Sequence, residues 1–185
     1  MSKMSDNPHL AAIDVALTGI FCALWVVLNL TLGPLSFTLL GLPILHDFAV
    51  FFTLLLVVWI TGRFGTGSVT GIIGATVAML ISGMPLMIGF APAAALFDLL
   101  MTANHHKIRI KPYSLTITAI ATILSAYLAG VVIGVFFTPG ETLLWALTFW
   151  GGWHLIGGVM TVAVTFPIIL ALEKANVRKL KGDRQ

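Results

Sequence analysis

Trp150, Trp153, His154 and Gly157 fall within roughly a third of a helix circumference at about 100° per residue, so two indoles and one imidazole share a face while Trp145 points elsewhere. An imidazole between indoles suits a flat or cationic aromatic ring, held by stacking and cation–π attraction of roughly 0.5 to 2 kcal/mol per contact. His46 and Asp47 open another apolar segment, and Asn29 lies near the end of the first; each can hydrogen-bond a ligand in the same cavity. Every one of these residues also has a plain structural use. Tryptophans form belts at membrane interfaces, a histidine can bond a carbonyl, and an aspartate in a first turn favours the helix dipole. His154 is the leading contact candidate, because an ionisable side chain inside a membrane span normally faces the bundle interior and marks a pathway or site. The substrate-contact set is therefore His154, Trp153, Trp150, His46, Asp47 and Asn29, with no catalytic group and no metal site assigned.

The elements that must carry these residues are membrane helices. Apolar residues make up 58% of the 185 and charged residues 9%, with a mean hydropathy of +1.03, and such a chain cannot cover itself with polar surface in water. Continuous apolar runs, rather than ten-residue alternating strands, point to helices as the spanning structure. The runs predict six spans: Leu10 to Thr31, Pro43 to Thr61, Gly65 to Ser82, Leu86 to Thr102, Tyr113 to Phe137 and Thr142 to Leu172. The last exceeds what a bilayer needs, with Gly151-Gly152, Gly157-Gly158 and Pro167 as its weak points. Gly33 to Pro43 is too apolar and too rich in Gly and Pro for a hydrated loop, and is expected to fold back as a lid over an outward-facing cavity.

All ten lysines and arginines fall on one side of this threading. Lys3 precedes the first span, Arg63 lies between the second and third, Lys107, Arg109 and Lys111 lie between the fourth and fifth, and Lys174, Arg178, Lys179, Lys181 and Arg184 follow the sixth. The positive-inside rule then puts both termini in the cytoplasm. The expected fold is an all-α integral membrane protein of six transmembrane helices, N-in/C-in, as a single domain over residues 1–185. Met1 to Asp6 is polar and the first run is long enough to span, so no cleavable signal peptide is expected. Cys22 is the only cysteine, which excludes an intramolecular disulfide.

Several functions are disfavoured on these grounds. No Gly-x-x-x-x-Gly-Lys phosphate loop is present and little chain remains outside the spans, so any energy source lies elsewhere. No internal repeat or pair of broken helices marks a self-sufficient secondary transporter. A stand-alone channel or permease is the main rival reading. An intramembrane serine protease pairing Ser82 with His154 is a distant third, because Leu80-Ile81-Ser82-Gly83 lacks the first glycine of a Gly-x-Ser-Gly signature. Asp98 is expected to pair with the nearby basic loop or a partner protein, His105 and His106 to form a solvated turn, and Trp25 and Trp59 to pack. Small residues at Ala12, Ala16, Gly19 and Ala23 make a smooth stripe that another helix can approach closely, whether from this chain or a partner. Ala126, Gly130 and Gly134 form a second stripe, read as internal packing.

Ala12 and Ala16 in the first span, Gly33-Pro34, Leu42-Pro43-Ile44, and Gly62-Arg63-Phe64-Gly65-Thr66-Gly67 running into Gly71 and Gly74 together resemble the substrate-binding S component of energy-coupling factor (ECF) transporters. The resemblance implies a subunit in a prokaryotic cell membrane that binds a vitamin or related micronutrient from outside. It implies docking through Ala12 and Ala16, with Gly19 and Ala23 continuing the groove, onto a transmembrane coupling subunit that carries two cytosolic ATPases. The chain itself would bind no cofactor, and ATP would be used by those partners. Thiamine or its pyrimidine precursor is the first cargo candidate, with Asp47 and Glu141 as the outer acidic residues. Haem on His46 or His154 stays open. Met1-Ser2-Lys3 departs from the Met-His start of nickel and cobalt members.

Overall fold

A computed structural model describes residues 8–175 and 177, and among them there is no strand. The helices are α1 (Pro8–Leu40), α2 (Ile44–Thr61), α3 (Thr66–Ser82), α4 (Phe90–Leu100), α5 (Pro112–Phe137) and α6 (Leu143–Lys174). Turns of 3₁₀ helix, Pro85–Gly89 and Met101–Asn104, extend α4 at both ends. Five of these segments are long and apolar enough to cross a bilayer, and α3, at 17 residues, is shorter. The protein is membrane-embedded and all-α. Lys3 and the basic residues after Lys174 lie outside the described residues.

Glycines set two of the helix ends where expected. Gly62, at φ 61°, turns its N–H back to Val58 O at 2.8 Å, and Gly83, at φ 69°, bonds Met79 O at 2.9 Å. Both are left-handed closures that a side chain would strain. The expected lid between the first two spans does not form as a loop. Instead α1 continues through Gly33 and Pro34 to Leu40, and only residues 41–43 reverse the chain. Pro34 removes a single backbone donor, whereas unwinding seven residues flanked by exposed Leu35, Phe37, Leu39 and Leu40 would strand many backbone groups in apolar surroundings. Ser36 locks the reversal: its hydroxyl donates to Leu42 O at 2.5 Å and accepts from Leu45 N at 3.0 Å. At 33 residues α1 is ~50 Å long, well beyond a hydrocarbon core of about 30 Å.

The core sits around α2, which packs against α1, α3 and α6, while α5 lies along α6 and α4 bridges α3 and α5. Trp25, Phe51, Trp59, Phe90 and Phe97 fill it, so Trp25 and Trp59 do pack. The second small-residue stripe is internal as well. Ala126 is fully buried against Gly158, and any Cβ at Gly134 would meet Ala146 Cβ at 2.8 Å.

One end of the bundle is stapled by Asp98, which is fully buried. Its Oδ2 accepts from Gly65 N at 2.8 Å and Ser68 N at 3.0 Å, capping α3, and the His106 imidazole lies 3.3 Å from Oδ1 and 2.9 Å from the Asp98 carbonyl. His106 is therefore buried rather than solvated, a correction to the reading of its turn; His105 stays exposed. Arg63 pairs with Asp14 at 2.7 Å across the same end. Asp98→Ala strips the cap from two backbone donors and is expected to cost about 1–3 kcal/mol, seen as a lowered melting temperature in detergent, with Asp98→Asn losing less.

Candidate functional site

The opposite end holds the chemistry. Asp47 enters from the first turn of α2 and His154 from α6, 107 residues away, and their side chains meet with His154 Nδ1 at 2.8 Å from Asp47 Oδ1. Both are buried, Asp47 at 0% and His154 at 1% exposure, so this is an ion-pair geometry closed off from water. With Asp47 ionised, its carboxylate accepts and His154 Nδ1–H donates. His46, one residue before Asp47, points to a different neighbour: its ring stacks on Phe90 at 6.2 Å and meets the edge of Phe37 at 5.7 Å.

Phe90 is the hub of the site and was not among the residues chosen from sequence. Its ring contacts Trp25 at 6.2 Å, His46 at 6.2 Å and His154 at 5.9 Å, joining α1, α2 and α6 at one point. Asn29 lies one turn from Trp25 and one turn from Gly33 on the same buried face of α1, so it faces this centre too. Trp150 sets the edge of its indole against His154 at 5.8 Å.

Each ionisable ring or carboxylate is seated on a glycine of another helix. A Cβ on Gly33 would overlap the His46 imidazole, one on Gly157 would overlap Asp47 Oδ2, and one on Gly130 would come within 2.7 Å of His154 Cδ2. Glycine here serves close approach of side chain to backbone. No local signal separates these glycines from the others, because the group they make room for comes from a distant helix. Gly157→Ala is expected to cost about 1–3 kcal/mol by pushing Asp47 aside. Gly152→Ala, whose Cβ meets nothing within 4 Å, should leave the melting temperature unchanged or slightly raised, and the pair of thermal melts checks the assignment.

Trp153 departs from expectation. It meets the ring of Phe149 at 6.5 Å, while Trp145, expected to point away, packs edge-on against Trp150 at 5.8 Å. The cause is a π-helical turn, Ala146–Trp150, ahead of Gly151. Its i to i+5 spacing brings residue 145 over residue 150, which a regular 100° increment does not. Helix α6 does change geometry next to Gly151-Gly152, but it runs unbroken through Gly157-Gly158 and Pro167.

Five buried polar atoms at this end have no hydrogen-bond partner among the described residues that would satisfy them: Asp47 Oδ2, both amide atoms of Asn29, Trp25 Nε1 and Trp150 Nε1. Leaving such groups unsatisfied costs roughly 1–3 kcal/mol each, more for a carboxylate; single hydroxyls at Thr70, Ser125 and Thr165 are in the same position elsewhere, but Asp47 and Asn29 at this end are the groups with most to gain from a ligand. Every lysine and arginine among the described residues belongs to the other end: Arg63 after α2, Lys107, Arg109 and Lys111 between α4 and α5, and Lys174 closing α6. Ser82 is exposed, donates to Ala78 O at 2.7 Å and accepts from Met84 N, so its hydroxyl makes no pair with the buried His154. No group of three His, Cys, Asp or Glu side chains among the described residues is placed to hold a metal ion.

Two further surfaces lie along α1. Ala12, Ala16, Gly19 and Ala23 are all exposed, and a Cβ on Gly19 would meet nothing within 4 Å, so this stripe is not filled by a described helix of the same chain. Beside it, Cys22, Ala23, Val26, Val27, Ile73 and Val77 line an apolar groove of about 290 Å³ between α1 and α3.

The fold and the site define a helical membrane protein with a buried acid–imidazole pair at one end and a bare small-residue helix face toward the other. No protein-family model, curated protein or solved structure matches this chain.

Proposed function

We propose that this chain is the membrane-embedded substrate-binding subunit of an ECF-type importer, residing in a prokaryotic cell membrane and binding a vitamin or related micronutrient, with thiamine or its pyrimidine precursor the first candidate. Its six helices all cross the bilayer with both termini inside; α3, ~25 Å long, is at the short limit for a span, and its flanking turns or local thinning of the bilayer make up the full thickness. The single observation that carries the reading is the division of labour between the two ends of α1. Its outer half lines a centre of unsatisfied buried polar groups, and its inner half presents Ala12, Ala16 and Gly19 bare, as a surface for a partner helix. ATP is hydrolysed by the partners, and this chain supplies recognition.

Reconstitution tests this. The purified chain should bind thiamine or its aminopyrimidine moiety in a thermal-shift assay, where a nanomolar ligand at micromolar concentration stabilises by about 4 kcal/mol. In proteoliposomes it should move solute only together with a coupling subunit and its ATPases. Uptake by the chain alone would establish the stand-alone permease instead.

A further inference from the structure

We infer that the ligand of this site is a cation: a small nitrogen heterocycle or amine whose positive charge is met by Asp47 Oδ2. This rests on the reading of that end as the substrate site and adds the charge its occupant must carry.

Asp47 is fully buried, and one of its two carboxylate oxygens is committed to His154 while the other lies against Gly157 with no donor. Its ionisable contact is the His154 imidazole from α6; His46, next to it in sequence on α2, turns to Gly33 and Phe90, and Asn29 lies one turn from Gly33 on the buried face of α1. None is a lysine or arginine. Arg63 follows the far end of α2, 16 residues and ~24 Å along the helix from Asp47, and is already paired with Asp14. An anionic ligand entering here would be buried beside a carboxylate with no ammonium or guanidinium to neutralise it, an arrangement of high cost in low dielectric. A cation gains instead, meeting a free carboxylate oxygen beside the His154 imidazole, whose ring neighbours are Phe90 and Trp150. Asn29 offers both a donor and an acceptor, and Trp150 Nε1 a donor, so the same ligand carries hydrogen-bonding groups beside its positive charge.

Benzamidine, benzamide and benzoate share one shape and differ in charge, which makes them the probes. With the full-length chain in lipid nanodiscs, saturation-transfer NMR is expected to rank benzamidine first, benzamide roughly tenfold or more weaker, and benzoate last. Asp47→Asn, checked for a retained melting transition, should erase the advantage of benzamidine over benzamide. If that variant does not fold, the wild-type ranking decides alone. Benzoate equal to or above benzamidine, no measurable benzamidine binding, or a benzamidine preference that survives in folded Asp47→Asn would each overturn the inference. The two ideas fail separately. A cation-selective chain that moves solute without a coupling module loses the ECF reading and keeps the charge, whereas a coupling-dependent chain that prefers benzoate does the reverse.

Discussion

His154→Ala should destabilise the protein by roughly 3–5 kcal/mol, because it strands a fully buried carboxylate whose ion-pair partner among the described residues is that imidazole. Asp47→Ala is expected to cost less, since a neutral imidazole tolerates burial better than an unpaired anion. The informative variant is the double replacement by leucine, Asp47→Leu with His154→Leu. Apolar groups of similar size remove both desolvation costs, so the melting temperature should return most of the way to wild type while ligand binding is lost. Thermal melts and binding measured on wild type, Asp47→Leu, His154→Leu and the double leucine variant form a double-mutant cycle with a large coupling term. That pattern separates a functional polar pair from a structural one. A double variant as unstable as His154→Ala, or one that binds ligand normally, would mean that the pair holds the fold and takes no part in recognition.

Replacing Ala12 and Ala16 with tryptophan should have the opposite signature. Both positions are exposed on α1, so folding and ligand affinity are expected to stay within about 0.5 kcal/mol of wild type. Uptake in vesicles containing the coupling subunit and ATPases should nevertheless fall to background, because close helix approach in lipid relies on small residues at the contact. Tryptophan at Ala126 serves as the contrast. That residue is fully buried against Gly158, and the same change there should prevent folding. Normal uptake by the Ala12, Ala16 double variant would show that this face of α1 meets only lipid.

Much of the fold was legible in the chain. The ends of α2, α3 and α5 fall within a residue of the apolar runs Pro43 to Thr61, Gly65 to Ser82 and Tyr113 to Phe137, and glycine or proline stands at most of these ends because both act on the backbone locally. The run through Gly33-Pro34 misled for the same reason. Those residues break helices in water, but between apolar neighbours the surrounding backbone has no better partner than its own helix. The site was legible in part. His46, Asp47, Asn29, Trp150 and His154 collect at one end, whereas Trp153 turns to Phe149 and the hub, Phe90, gave no signal, being one phenylalanine among 12.

Composition and the spacing of charge by themselves determined that this is a helical membrane protein, with its basic residues in the segments that alternate with a nearly uncharged set. Those properties are sums over many residues and survive errors in any one. Which groups meet was decided only by the tertiary structure. Helices that are apolar all round carry no stripe to say which face turns inward, so the Asp47–His154 contact, the glycine seats beneath them and the five-residue step from Trp145 to Trp150 depend on how α1, α2, α5 and α6 pack.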